Sequence, residues 1–571
     1  MEETLKKIEN ITLTGPKASI FTCMVSGNDK VGKGTEQQPY GTLAHALSTV
    51  QKEGEELHIP KDIKFILRKT TEEGFVEAPK TALKKALCFL EIQERKSKKA
   101  VERERQVPLQ SSSVIDIEYF RLEVDHSLPA AKEIKIRDSI ATRQAGHRAC
   151  LKGWVHRLRM QGKNMIFITL RDGTGYLQCL LTGDMCRSID VPRLTVESTV
   201  ALTGKLVAVP EGKSAPGGHE LMVDYWQIIH AAPSGQEAFE NRLNKEANPD
   251  VLYDLRHLVL RGETASGLMK LRSVFLQAFR AHYMQEGYFE LTTPCLTQTE
   301  CEGGSTLFKL DYYGEPAYLT QSSQLYLETA IPSLGDVFCI QMSFRAEASR
   351  TRRHLSEFTH IEAECPFITY DQLLDRIEFL VCDVIDRALA SPFADLIREL
   401  NPDLKVPQRP FRRMEYADAI KWLQEQDFRK DDGTRYEYGE DIPEKPERFM
   451  VDAIGEPIFL CRFPAEMKAF YMFKDENDRT LTHSTDLLMP GVGEIVGGSM
   501  RIWDHDELIA GYVREGIDPK HYYWFTDQRK YGSCPHGGYG LGFERFLAWA
   551  LCRDHVREVC LYPRYMKRCA P

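Results

Sequence analysis

Residues 338–367 read FCIQMSFRAEASRTRRHLSEFTHIEAECPF. Taken in steps of two, Phe338, Ile340, Met342 and Phe344 fall on one face, with Gln341, Ser343, Arg345 and Glu347 on the other. Residues 348–357 then bring Arg350, Arg352, Arg353 and His354 together. A second alternation follows, Ile361, Ala363 and Cys365 against His360, Glu362 and Glu364. The pattern predicts two antiparallel strands joined by a cationic loop. Burying one face explains the apolar residues but not the ordered ionic ones, because charges on a sheet floor are costly unless they pair or bind. Guanidinium forks at this density suit a polyphosphate, whose oxygens they hold in pairs. For this stretch alone, a solvated, salt-bridged hairpin is the other reading.

Residues 535–553, PHGGYGLGFERFLAWALCR, narrow the choice. Gly538, Gly540 and Gly542 alternate, and Glu544 and Arg545 open an apolar run of helical character over 546–551. Glycines admit close backbone approach to a ligand, and an Arg in a first helical turn reaches an anion gathered there. The stretch is neither a P-loop nor a dinucleotide fingerprint. FRAE, RHLSEF and GYGLGFER, in this order, resemble motifs 2 and 3 of class II aminoacyl-tRNA synthetases. EGGSTLFKLDYYGEPAYLTQSSQLYLE resembles the aspartyl/asparaginyl subgroup, and RAEASRTRRHLSEFTHIEAECPF the eukaryotic cytosolic asparaginyl-tRNA synthetases. The likeness runs from about Arg148 to the C-terminus and is weaker before it. It implies an α+β chain: a class II catalytic domain of antiparallel sheet with flanking helices, preceded by an OB-type β-barrel and a small N-terminal α+β extension.

At 571 residues the chain is too long for one core, so about two to four domains are expected. Hydrophobic content of 42% and charged content of 27% are those of a soluble globular protein. No apolar run approaches the roughly 18 residues of a membrane span. The opening MEETLKKIENITLTG reads as neither a signal peptide nor an Arg-rich transit segment, which favours the cytoplasm. Fifteen cysteines without a CxxC pair, among them Cys179, Cys339, Cys365 and Cys552 in apolar runs, read as reduced core thiols. A net charge of −9 means that any RNA contact uses local basic patches.

In chain order, residues 1–80 read as an appended α+β unit, with strands near 20–25 and 60–69 and a helix near 43–51. DKVGKGTEQQPYGTLAHAL there resembles the extension of the eukaryotic asparaginyl enzymes. Residues 81–115 are a charged helix and linker, whose Lys84, Lys85, Arg95 and Lys96 either track an RNA backbone or pair with interleaved glutamates. Residues 145–232 carry short alternating strands of an OB-type barrel, a single-stranded nucleic-acid reader. Phe167 there is either a core aromatic or a base-stacking platform, Gln178 suits a hydrogen bond to a base edge, and Arg157, Arg159 and Lys163 suit phosphates. Residues 233–262 form a polar, irregular hinge. Within 263–571, a helix over 264–288 precedes FELTTP, which resembles motif 1, the homodimer element, with Pro294 in place. Residues 370–450 hold a helical run and a charged insertion in which no site is legible.

The resemblance implies activation of L-asparagine by ATP, with Mg²⁺, and transfer to the 3′ end of tRNA(Asn), by a homodimer without a membrane partner. Arg345, Glu347 and Arg545 are the implied catalytic residues. ATP is assigned to these together with Arg353, His354, Leu355, Glu494, Gly540 and Gly542. The amino acid is assigned to Glu302, Ser322, Gln324, Arg345, Glu362 and Arg501, the anticodon to Phe167 and Gln178, and the metal to Glu494. Glu494 and Arg501 differ in strand parity, so both face the site only if Gly497–Gly498 forms a bulge. Gly497 stands where aspartyl relatives carry Ser, which leaves the metal count open. Leu327 stands where they carry Lys, which removes a cation and suits a neutral carboxamide. The other readings are an aspartyl-tRNA synthetase, a stand-alone asparagine synthetase on the same domain, and an inactive RNA-binding or signalling relative.

Overall fold

A computed structural model gives the structure, and it describes residues 19–23, 29, 32–50, 58–60, 63–68, 75–79, 82–83, 86–87, 90, 119–144, 146–244, 247–301, 307–349 and 351–571. The chain divides at Tyr119 into two units. In the first, β1 (Ser19–Cys23) pairs in parallel with β2 (Lys64–Arg68), which pairs antiparallel with β3 (Val76–Glu77). Helix α1 (Leu43–Ser48), capped by Thr42, packs Ala46 and Leu47 against Phe65 and Leu67. The expected small α+β unit is there. The charged stretch with Lys84, Lys85, Arg95 and Lys96 lies outside the described residues.

The second unit opens with the barrel. Strands β4 (Arg148–Met160), β5 (Met165–Arg171), β6 (Tyr176–Thr182), β7 (Thr199–Ala208) and β8 (His219–His230) close through pairings of β4 with β7 and β6 with β8. Alternation decides the interior. Ile166, Ile168 and Leu170 fill the core, while Phe167 takes the opposite parity and stays out of it. The hinge departs from the irregular reading, because α2 (Pro249–Asp254) and α3 (Arg256–Val259) are short helices. Asn248 caps the first, and buried Arg256 donates to the Glu558, Cys560 and Leu561 carbonyls. Barrel and catalytic domain meet through polar bonds, with His156 3.0 Å and Arg157 2.8 Å from Glu263. Arg157 is thereby engaged by the hinge end of the catalytic domain.

The catalytic domain begins with α4 (Glu263–Gln285), whose Leu271, Phe275, Phe279 and Tyr283 are fully buried at helical spacing. Then follow β9 (Phe289–Glu290), a small sheet of β10 (Leu296–Thr297), β11 (Lys309–Tyr312) and β12 (Glu315–Leu319), and α5 (Gln324–Leu334). The opening stretch forms β13 (Val337–Phe344) and β14 (Glu357–Pro366), antiparallel with Phe338 opposite Ala363 and Ile340 opposite Ile361. Next in sequence are α6 (Tyr370–Leu389), β15 (Arg412–Glu415), α7 (Tyr416–Glu425), α8 (Glu444–Ile454), β16 (Ile458–Cys461), β17 (Ser484–Met489), β18 (Gly493–Met500), β19 (His536–Gly542) and α9 (Phe543–Ala550).

The eight-stranded sheet runs β9-β13-β14-β19-β18-β17-β16-β15. It is antiparallel except at its two edges, where β9 joins β13 and β15 joins β16 in parallel. Helices α4, α6 and α9 cover one face, packing Phe279, Val381 and Phe546 on Ile361, Ala363, Cys365 and Val496. The glycine run forms β19, a central strand of this sheet. The fourteen described cysteines are free; Cys179, Cys339 and Cys365 are buried as expected, but Cys552 is exposed just beyond α9.

Candidate active site

A cavity of about 390 Å³ opens on the sheet face that the helices leave free, over β14, β19 and β18. Its floor exists because two strands carry opposite chemistry. Gly538 lies opposite Glu364 and Gly540 opposite Glu362. A Cβ on Gly538 would fall 2.1 Å from Glu364 Oε1, and one on Gly540 2.3 Å from His360 Nε2. These glycines therefore make room for side chains of β14, which lie flat across β19. Gly540 and Gly542 also line the cavity.

At one end the acids are fixed in place. Ser322 Oγ donates to Glu362 Oε1, and the Ser323 N–H donates to Glu362 Oε2 at 2.8 Å. Arg501 grips Glu364 with Nη2 at 2.6 Å and Nε at 3.2 Å, and its Nη1 donates to Ser499 Oγ at 2.7 Å. Gln324 Nε2 donates to Glu328 Oε1 at 2.9 Å, and buried Glu328 also meets Arg529 and His536. Ser322, Gln324, Arg345, Glu362 and Arg501 thus share one cavity. Glu302 lies outside the described residues. Leu327 does not reach the cavity: it is buried with Ile331, Val337 and Cys339, whose Sγ lies 3.9 Å from Glu362 Oε2.

The other end gathers cations around Glu494. Arg545, in the first turn of α9, donates from Nη1 to Glu494 Oε2 at 2.9 Å and from Nε to the Arg353 carbonyl at 3.2 Å. Burial raises the Glu494 carboxyl, but Arg545 and Arg353 outweigh it and bring it down to about 2. His354 bonds Thr351 Oγ1 and Ser349 Oγ through Nδ1, and its Nε2 lies 3.9 Å from Glu347. Burial and then Arg545 lower its pKa to about 4, so it is neutral at pH 7. The Arg345 guanidinium lies over the Phe358 ring, 5.4 Å from its centroid. Leu355 is buried at the wall. Arg353 is already paired, with both Nη atoms on Glu447 at 2.6 and 3.1 Å. Arg353, assigned to ATP from the sequence, lines the cavity with both Nη atoms held on that carboxylate.

The parity problem of β18 resolves through a bulge, but not at Gly497–Gly498. Leu487 pairs with Val496 and Leu488 with Glu494, so Ile495 is the extra residue. Glu494 and Arg501 then both line the cavity. A Cβ on Gly497 would meet Asp486 Oδ1 at 3.5 Å and Glu494 Oε1 at 3.7 Å, so two carboxylates converge over this glycine. Hard oxygen donors in that arrangement fit a magnesium ion. Asp486, with Lys468 Nζ 3.3 Å from its Oδ2, was missed from sequence; its signal was an acid inside the apolar strand STDLLM. On the barrel, Phe167 and Gln178 share the outward face, Arg159 stacks 4.5 Å over Phe167, and Gln178 Nε2 donates to Glu220 at 2.7 Å.

Family models match three stretches: tRNA synthetases class II (D, K and N) over residues 248–566, an OB-fold nucleic acid binding domain over 149–229, and an asparaginyl-tRNA synthetase N-terminal domain over 35–138. The cytoplasmic asparagine–tRNA ligase of Bos taurus is 53% identical over 555 residues, 97% of this chain and 98% of that protein. That of Saccharomyces cerevisiae is 48% identical over 97% of this chain and 100% of its own length. Among solved structures, the Entamoeba histolytica asparaginyl-tRNA synthetase in complex with asparaginyl-adenylate superposes with a TM-score of 0.73 at 48% identity, covering 78% of this chain and all of that one.

Proposed function

The chain belongs to the class II aminoacyl-tRNA synthetases, among the asparagine–tRNA ligases, and we propose from its geometry how its residues divide the reaction. Like its named relatives it is cytoplasmic, and no described helix is long and apolar enough to cross a membrane. The observation that carries the assignment of roles is a single cavity with fixed acids at one end and a cation cluster at the other. Such a site takes a zwitterion beside a polyphosphate.

The asparagine carboxylate attacks the α-phosphorus of ATP, forming the mixed anhydride and releasing pyrophosphate. The 3′-terminal adenosine of tRNA(Asn) then attacks the acyl carbon, and AMP leaves. No protein nucleophile is needed, so positioning and charge carry the catalysis. Arg345 bridges the substrate carboxylate and the α-phosphate, while Glu347 contacts the adenine end. His354 and Arg545 meet the β- and γ-phosphates, with Arg353 adding fixed charge behind them, and Leu355, Gly540 and Gly542 form the surrounding wall. Glu362 accepts from the carboxamide nitrogen and Arg501 donates to its oxygen, while Ser322, Gln324 and Glu302 orient the backbone end of the amino acid. Glu494 and Asp486 would hold magnesium, which when bound neutralises charge on the phosphate oxygens. Phe167 stacks on an anticodon base and Gln178 bonds the edge of the central uridine, its amide oriented by Glu220. Exposed Phe289 and Leu296, along the motif 1 strands, support pairing of two chains.

The test is amino-acid-dependent ATP–pyrophosphate exchange without tRNA. Exchange with asparagine and not aspartate is expected; exchange with aspartate alone would overturn the carboxamide assignment to Glu362 and Arg501.

A further inference from the structure

We propose that Glu447, supplied by α8, is a positioning residue for ATP: it fixes Arg353 and Glu494 in one arrangement and thereby sets nucleotide affinity. The inference rests on the assignment of the cation cluster to the triphosphate.

Glu447 is 5% exposed and makes three bonds into the site. Its carboxylate takes Arg353 Nη1 at 2.6 Å and Nη2 at 3.1 Å, and its Oε1 accepts from the Glu494 N–H at 2.5 Å. The contacts form a ring. Arg353 offers its carbonyl to Arg545, Arg545 holds Glu494 Oε2, and the Glu494 backbone returns to Glu447. A second observation shows that the approach is built in. Gly493 has φ +83°, and a Cβ there would lie 2.5 Å from Glu447 Oε1, so a side chain at 493 would expel the carboxylate. The helix is itself anchored, since Met450 and Val451 are fully buried in a satellite core with Tyr416 and Leu423.

The consequence is directional. Both terminal nitrogens of Arg353 are committed to Glu447, so Arg353 is a stationary charge beside the phosphates. Without the carboxylate, Arg353 would be a buried and uncompensated cation, and it would turn toward Glu494, its next acid at 3.9 Å. That competes with Arg545 for Glu494. The amino-acid end would be untouched, because Glu362 and Arg501 are held by Ser322, Ser323 and Glu364.

The experiment compares full-length wild type with Glu447→Gln in pyrophosphate exchange, varying ATP and asparagine separately, and measures ATP binding by equilibrium titration without asparagine. The expected result is a tenfold or larger rise in KM for ATP, matched by weaker equilibrium binding, with KM for asparagine within twofold of wild type. A parallel rise in both KM values, or no change in either, overturns the proposal. Should Glu447→Gln fail to fold, Arg353→Lys breaks the same fork from the loop side and must give the same selective loss. In the double variant the loss must fall short of the product of the two single losses, since Glu447 and Arg353 act within one ring with Glu494; fully multiplied losses overturn it. Wild-type exchange with no amino acid would instead defeat the underlying site assignment.

Discussion

A methyl group added at Gly538 would lie 2.1 Å from Glu364 Oε1 and 2.4 Å from the Ala363 carbonyl oxygen. Both neighbours are held, one by Arg501 and the other by the sheet, so neither can give way cheaply. Gly538→Ala is expected to destabilise the protein by about 1–3 kcal/mol through overpacking. It should also raise KM for asparagine more than KM for ATP, because the displaced carboxylate is the one that orients Arg501; denaturant unfolding and exchange kinetics together check this. A second residue-level effect concerns pH. Burial, and then Arg557 and Arg352, take the His555 pKa from 6.5 down to about 4. Between those values the unfolded chain binds a proton that the folded chain excludes, so stability falls as pH drops from about 6.5 to 4. His354 shares the window through the same direction of shift. His555→Asn should therefore lessen the fall in melting temperature across this range without abolishing it, because His354, His156 and His282 are shifted in the same direction.

Whole elements were legible wherever one period ran uninterrupted. The five barrel strands, α4 and the β13–β14 hairpin all follow alternating or helical spacing, and the structure returns them within a few residues. What sequence could not give came from partners distant along the chain. The bulge at Ile495 arises from pairing with β17, not from the glycines that suggested it, and Glu447 reaches Arg353 across 94 positions. Asp486 was hidden because a single acid in an apolar strand has meaning only once Glu494 lies beside it. On the barrel, parity alone separates the readings of Phe167: its neighbours Ile166 and Ile168 fill the core and it does not. Phe167→Ala should therefore leave stability nearly unchanged and lower kcat/KM for tRNA(Asn) by roughly 1–3 kcal/mol, or about 5- to 150-fold. Pyrophosphate exchange without tRNA should stay at the wild-type rate, and comparing the two assays checks the assignment.

At the scale of the molecule, the described components of the cavity belong to the unit that begins at Phe120. Strands β14, β17, β18 and β19 supply its floor, hinge bonds tie the domain to the barrel through Glu263, Arg261 and Glu197, and α8 lends Glu447. Activation therefore should not require residues 1–119. A chain beginning at Phe120 is expected to exchange pyrophosphate with asparagine at a rate within about twofold of the full protein, because no group assigned to the amino acid, ATP or metal is removed. Aminoacylation is the sensitive assay for what remains. If the basic residues near 84–105 track an RNA backbone, the shortened chain should show a raised KM for tRNA(Asn) and a shallower dependence on salt, since each lost phosphate contact takes counterion release with it. If the interleaved glutamates neutralise those bases, both quantities should match the full chain, and the appended unit would then serve something other than charging.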